Sequence, residues 1–295
     1  MLRRRFVTGL CCAGVIFACE PARSQTLSTN GAEQAIPIST QWTLDAAGPV
    51  QRNAITSVIL LECPKTLSKG TSFVIKGGIV ATASHVVEGC NAEDLRGTTT
   101  RGANVRFSRL IADPVRDLAL LLPIGEVGKG LELAPNLSLS LGKGVTTWGF
   151  PLIYNGPAPI LSVGYVSGYY AAPVRGGNVR HIVVNAAFNP GNSGGPVFST
   201  GDDKVIGVVV WKSIAFSKNI SVAINGFRNP GLATMGTFTR NQPDGTTVPI
   251  SDQEVIAGVL EEFYTKVQVN IGEAVAVSEL RAFMDQHRDE LHRTN

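Results

Sequence analysis

Apolar and β-branched residues fall along this chain in short runs separated by Lys, Gly, Pro and Asn. Runs at 55–62, 71–75, 78–83, 105–111 and 117–123 make one series, each bounded by turn-forming residues as strands are. A second series covers 145–150, 160–169, 181–185, 196–199, 205–211 and 220–224. Pro and Gly around 151–159 and 173–177 mark long loops within it. The spacing predicts antiparallel sheets, sandwiched or closed, rather than βαβ units. Residues 125–141 read as the connection between two β-rich halves.

The two ends differ from this pattern. Residues 25–48 are polar with no sustained period and read as an arm. Residues 251–267 open with S-D-Q-E, in which Ser251 would cap a helix and Glu254 would answer from its third position. Val255, Val259, Leu260 and Phe263 then recur at helical spacing, and 277–292 reads as a second helix. The predicted fold class is all-β with C-terminal helices packed on the sheets. Its parts are a leader (1–24), the arm (25–48), a β-rich domain (49–250) and a helical extension (251–295). A separate peptide-binding module of ordinary size does not fit.

Composition sharpens the picture. Charged residues make up 17% and there are 32 glycines among 295 residues, which suits short strands and tight turns and argues against a coiled coil or disordered tail. The net charge of +3 belongs to the leader. Three arginines precede an apolar stretch at 7–19, and A-R-S at 22–24 offers a small-residue cleavage site, a signal-peptide pattern too short for a membrane span. Removing 1–24 takes away four arginines and one glutamate, which brings the net charge from +3 to 0. No basic surface then remains for nucleic acid. R-R-R-F-V at 3–7 resembles a twin-arginine export signal, and a Sec leader with extra arginine fits as well. I-F-A-C at 16–19 resembles a lipoprotein processing box that would place a lipid, and hence a membrane anchor, on Cys19; Phe17 departs from that pattern.

Cys11, Cys12 and Cys19 lie in the leader, leaving Cys63 and Cys90 in the mature chain. In an oxidising compartment such a pair suggests one disulfide, closing a loop that contains His85 and worth about 3 kcal/mol in the chain-entropy model. Two separate buried thiols are the other reading.

The candidate chemistry lies in three segments: T-A-S-H at 82–85, D-P-V-R-D-L-A-L-L at 113–121 and N-P-G-N-S-G-G-P at 189–196. A serine hydroxyl needs a base to become a nucleophile, and His85 and Asp117 precede Ser193 in the order of one hydrolytic mechanism. Glycines around Ser193 permit a sharp turn that aims consecutive N–H groups into one concavity. Gly191 and Ser193, bridged by Asn192, are the expected donors to a tetrahedral oxyanion. Gly191, Ser193 and Gly195 also satisfy G-x-S-x-G, but that hydrolase elbow needs its acid and histidine after the serine. With four histidines, no H-E-x-x-H pattern and no ligand pair beside Cys63 and Cys90, metal chemistry has little support. The proposed acyl transfer needs no cofactor.

These segments resemble the trypsin-like serine peptidases, and among them the bacterial HtrA-like branch. G-T-S-F-V-I at 70–75, W-G-F-P at 148–151 and S-V-G-Y-V-S-G at 162–168 also resemble barrel segments of that family. The resemblance covers about residues 50–230. It implies two antiparallel six-stranded β-barrels with the cleft between them, His85 as general base, Asp117 as its orienting carboxylate and Ser193 as nucleophile. It implies peptide or unfolded protein substrates in the periplasm or outside the cell. Asn192 stands where zymogen-activated members carry an aspartate, so that activation route is not expected. The pocket base falls on Ala187, which offers no charge for a basic P1 side chain. With Val208, Val209 and Val210 nearby, an apolar P1 is expected. G-V-V-V-W-K at 207–212 resembles the pocket wall, so the backbone of Val210, Trp211 and Lys212 is expected to pair with an extended substrate. Val210 replaces a family serine and Lys212 a family glycine. These departures leave a second reading, an inactive protease-like peptide-binding protein; an esterase using the same triad is a third.

Overall fold

A computed structural model describes residues 36–210 apart from 136–138, 153, 176 and 203, then 239–242, 245–249, 251, 254–258, 260 and 271–292. It begins with two helices, α1 (Ile38–Ala46) and α2 (Pro49–Ser57). Residues 38–46 of the segment expected as an arm are therefore helical. Thr40 and Leu44 of α1 are buried, and Pro49 opens α2 where its missing N–H leaves no bond unmade. Ala54, Ile55 and Ser57 form the buried side of α2, so residues 55–57 are helical rather than the start of a strand.

Seven strands follow: β1 (Val58–Cys63), β2 (Ser68–Val74), β3 (Val80–Thr82), β4 (Arg96–Thr99), β5 (Asn104–Val105), β6 (Phe107–Asp113) and β7 (Leu118–Pro123). They form an antiparallel sheet in the order β5-β4-β1-β2-β3-β7-β6, curled into a half-barrel. Leu118, Ala119, Leu120 and Leu121 are all buried. Cover on both faces explains why β7 reads as a continuous apolar run instead of an alternating one. One helical turn, α3 (Ser84–Val87), leaves the end of β3.

The second half is a closed antiparallel barrel. Its strands are β8 (Gly144–Gly149), β9 (Ile160–Val174), β10 (Gly177–Val184), β11 (Pro196–Ser199), β12 (Val205–Val209) and β15 (Gly272–Ala276), in the order β10-β15-β12-β11-β8-β9. A hairpin of β13 (Thr239–Asn241) and β14 (Thr247–Pro249) makes a separate two-stranded sheet. The strand expected at 220–224 lies outside the described residues. The half-barrel and closed barrel match the two β-rich halves that the strand series implied and are consistent with the two-barrel architecture that the resemblance implied.

The expected boundary at residue 250 does not mark the end of the barrel. β15 sits between β10 and β12, with Val275 opposite both His181 and Val208. The helices that follow are α4 (Val277–Gln286) and α5 (Arg288–His292), matching the predicted second helix. Leu280 and Phe283 of α4 are fully buried against the barrel, each burial stabilising by about 1.5–3 kcal/mol. The capping box is also present: Glu254 N–H donates to Ser251 Oγ at 3.3 Å and Ser251 N–H to Glu254 Oε2 at 2.9 Å.

The connection between the halves is hydrogen-bonded to both. Leu131 N–H donates to Val74 O and Lys76 N–H to Leu131 O, each at 2.8 Å. Three residues on, Ala134 N–H donates to Val205 O at 2.9 Å and Val205 N–H to Glu132 O at 2.8 Å. Arg281 of α4 clamps the same segment through Leu133 O and Ala134 O at 2.6 and 2.8 Å. At its surface the Lys76 ammonium donates to Glu132 at 2.7 Å, which raises the lysine pKa and lowers that of the glutamate. The relative placement of the two sheets is thus fixed by backbone bonds.

Candidate active site

α3 carries His85 immediately after Thr82–Ala83, and Ser68 Oγ ties the turn to β2 by donating to Val86 O at 2.6 Å. Asp117 closes the turn between β6 and β7. Its backbone φ of 55° lies in the left-handed region, which costs a non-glycine residue about 1–3 kcal/mol and is best tolerated by Asn and Asp. Asp113 shapes that turn by accepting from the N–H groups of Val115 and Arg116 at 3.0 and 3.1 Å. The Arg116 guanidinium pairs with Asp113 and, at 3.6 Å, with Glu279 of α4. Arg116 is therefore engaged elsewhere, and Asp117 faces the histidine.

The carboxylate meets His85 twice. Oδ1 accepts from the His85 backbone N–H at 3.0 Å, and Oδ2 lies 2.8 Å from Nδ1. The side chains of His85 and Asp117 are 37% and 28% exposed, so the ring is reachable from solvent. With Nδ1 engaged by a carboxylate, Nε2 is left as the proton acceptor.

The serine turn is held from both sheets. Asn192 N–H donates to Asn189 O and Gly195 N–H to Asn192 O, both at 2.9 Å. Thr71 N–H donates to Ser193 O at 2.9 Å and Gly194 N–H to Val209 O at 2.7 Å. Gly191 has φ +97°, and a Cβ there would sit 2.3 Å from Phe150 O. Gly194 has φ +83°, and a Cβ would lie 2.1 Å from Thr71 O, 2.2 Å from Thr82 Oγ1 and 2.9 Å from Ala83 N. Both positions demand glycine for conformation and for space. Contact with Thr82 and Ala83 sets the Ser193 turn directly against the residues that lead into His85. Ser193 and Asn192 are themselves buried.

Thr71 escapes sequence reasoning, because a threonine in a strand carries no signal of its role. Its hydroxyl donates to Gly191 O at 2.7 Å and accepts from Phe150 N–H at 3.0 Å, while its carbonyl accepts from Thr82 Oγ1 at 2.8 Å.

The expected pocket residues separate. Ala187 is exposed, with its carbonyl accepting from Ser162 Oγ at 3.3 Å and Asn192 Nδ2 at 3.4 Å. Val208, Val209 and Val210 are fully buried, so their side chains do not form an open pocket wall. The reason is topological: β12 lies between β11 and β15 under α4. Val209 accordingly enters the barrel core, and Val208 and Val210 join the larger core with Leu280 and Phe283. Trp211 and Lys212 lie outside the described residues. Cys63 and Cys90 have Cα atoms 6.4 Å apart, within the range a disulfide spans.

Residues 70–208 match the trypsin-like peptidase domain. The matched segment, just under half of the chain, is the one that carries His85, Asp117 and Ser193. The chain is 32% identical over 181 residues to a probable periplasmic serine endoprotease, DegP-like, from Halomonas elongata, covering 57% of this chain and 37% of that protein. It is 31% identical over 156 residues to the putative serine protease HhoB of Synechocystis, covering 49% of this chain and 35% of that one. An uncharacterized Sinorhizobium fredii protein, y4bJ, is 33% identical over 174 residues, covering 54% of this chain and 26% of its own length. The chain thus spans only about a quarter to two fifths of these relatives. Among solved structures, the inactive form of the Rv3671c protease matches with a TM-score of 0.53 and 18% identity, covering 81% of this chain and 92% of that one. At that identity the match speaks to the fold alone.

Proposed function

We propose that this protein is an exported serine endopeptidase acting in the periplasm or outside the cell, with residues 1–24 as its signal peptide. The observation that carries the reading is the double contact of Asp117 with His85, beside a Ser193 turn seated on Thr71, Thr82 and Ala83. In this reading His85 Nε2 takes the Ser193 hydroxyl proton as Oγ attacks a peptide carbonyl. Asp117 fixes the imidazole tautomer and stabilises its cation. Backbone N–H groups of Gly191 and Ser193 hold the tetrahedral oxyanion, while Asn192 N–H is committed to Asn189. The protonated imidazole gives its proton to the leaving amine, which departs and leaves an acyl-enzyme on Ser193. Water, deprotonated by the same imidazole, then releases the acid and regenerates the serine. The uncharged Ala187, six residues before Ser193, offers no counter-charge to a basic P1 side chain, and the backbone after Val209 pairs with the substrate. A Cys63–Cys90 disulfide anchors the loop that presents His85. Names of the relatives support the serine endopeptidase chemistry and the periplasmic setting.

Intact-mass labelling with a fluorophosphonate tests the reading. One adduct on the wild type and none on Ser193→Ala is the expected result. Folded wild type that takes no adduct would overturn it in favour of a peptide-binding protein without turnover.

A further inference from the structure

A cavity of about 590 Å³ opens directly beside the His85–Asp117 pair. Its volume lies within the range of ligand pockets and leaves ample room for a long side chain. The lining has two characters. Val87, Leu110, Ala112 and Pro114 supply apolar surface, whereas Glu88 brings a carboxylate. Glu88 is exposed and takes part in no ion pair among the described residues. The neighbouring charges are already engaged: Asp117 with His85, and Asp113 with Arg116, which also reaches Glu279. The cavity therefore presents one uncommitted negative charge above an apolar bed.

That combination suits a long side chain with an apolar stem and a cationic tip, which lays its methylenes on apolar surface and keeps its charge at the rim. A short acidic side chain would meet Glu88 as a like charge, and an aliphatic one would leave the carboxylate without a partner. We infer that this cavity receives a lysine or arginine side chain of a substrate residue flanking the scissile position, with Glu88 as its counter-charge. The inference rests on the peptidase reading and adds a second element of specificity to it. A side chain that needs no counter-charge lies toward Ala187, and a basic residue lies beside His85. Glu88 acts on substrate choice and has no part in bond cleavage. Because the pair is solvated, the expected preference is modest, about threefold over an uncharged side chain of equal length, and it weakens with salt.

Equilibrium binding to the full Ser193→Ala chain tests this without requiring turnover. Labelled peptides would carry lysine, norleucine or glutamate at each position in turn. At one position lysine is expected to bind about threefold more tightly than norleucine, with glutamate weakest. Glu88→Gln should abolish the lysine advantage, and Glu88→Lys should transfer it to glutamate. Both variants should melt as the parent does, since Glu88 is exposed. A lysine advantage that persists in Glu88→Gln, equal binding of lysine and norleucine throughout, or no binding of any peptide would overturn the inference. Fluorophosphonate labelling of the wild type separates the two readings. A labelled Ser193 without lysine preference sinks the cavity assignment alone, and lysine preference without labelling sinks the peptidase reading alone.

Discussion

The hydroxyl of Thr71 donates to the carbonyl of Gly191 at 2.7 Å, a bond that ties the half-barrel to the turn that carries Ser193. The same oxygen accepts the Phe150 N–H, and the Thr71 backbone N–H reaches Ser193 O. Thr71→Val keeps the shape but leaves a buried carbonyl and a buried N–H unpaired, at about 1–3 kcal/mol. The expected outcome is a lower melting temperature together with a labelling rate at Ser193 reduced about tenfold or more. Thr71→Ser, which retains the hydroxyl, should recover most of the labelling rate. Equal labelling by Thr71→Val and wild type would show that the bond does not set the turn's geometry.

Asp117 is placed to orient His85, so Asp117→Asn should act through the tautomer. An amide can donate toward Nδ1, and the ring then carries its proton on Nε2, where a base is needed. On the triad template the loss in kcat is about 10⁴-fold. Turnover of a peptide substrate, read alongside circular dichroism, checks this. A variant that loses both turnover and fold would instead point to the bond with the His85 backbone N–H as the dominant contribution.

Gly130 tests the link between the halves. It has φ +74°, and a Cβ would stand 2.5 Å from both the carbon and the oxygen of the Ile75 carbonyl. Gly130→Ala should destabilise by about 1–3 kcal/mol through strain and displacement of the Leu131 bonds. Chemical denaturation should show this, with labelling at Ser193 falling as the sheets lose their register. Gly128→Ala is the control, since φ is also positive there but a Cβ meets nothing within 4 Å.

Reduction should loosen the His85 segment. Breaking a Cys63–Cys90 bridge with a sequence separation of 27 is expected to lower stability by about 2–4 kcal/mol. Thermal melts with and without a thiol reductant, and of the Cys63→Ser and Cys90→Ser variants, measure it. Identical melts of oxidised and reduced protein would mean two free thiols.

Much of the site was legible because its chemistry is local in sequence: His85, Asp117 and Ser193 each lie in a short motif, and the motifs stand in a telling order. The strands were legible where burial gives long apolar or β-branched runs, as in β7 and β12. β4 was not, because R-G-T-T carries no such pattern and owes its place to β1 and β5 on either side. α1 was missed for a related reason: it has no side-chain cap and no regular apolar stripe, and only Thr40 and Leu44 are buried. β15 is five residues with a glycine and a glutamate, and its partners are remote in sequence, so no local window reveals it. Thr71 was hidden because its importance lies wholly in what it touches.

The position of β15 also bears on when the protein acquires its site during synthesis. β12 must pair on one side with β11, which is made shortly before it, and on the other with a strand made more than sixty residues later. Until Ala276 has emerged from the ribosome, the barrel beneath Ser193 has two open edges, and Val209, whose carbonyl receives the Gly194 N–H, belongs to an unfinished sheet. Ser193 is therefore translated well before its turn can be assembled, and a nascent chain lacking β15 has no completed barrel with which to hold that turn.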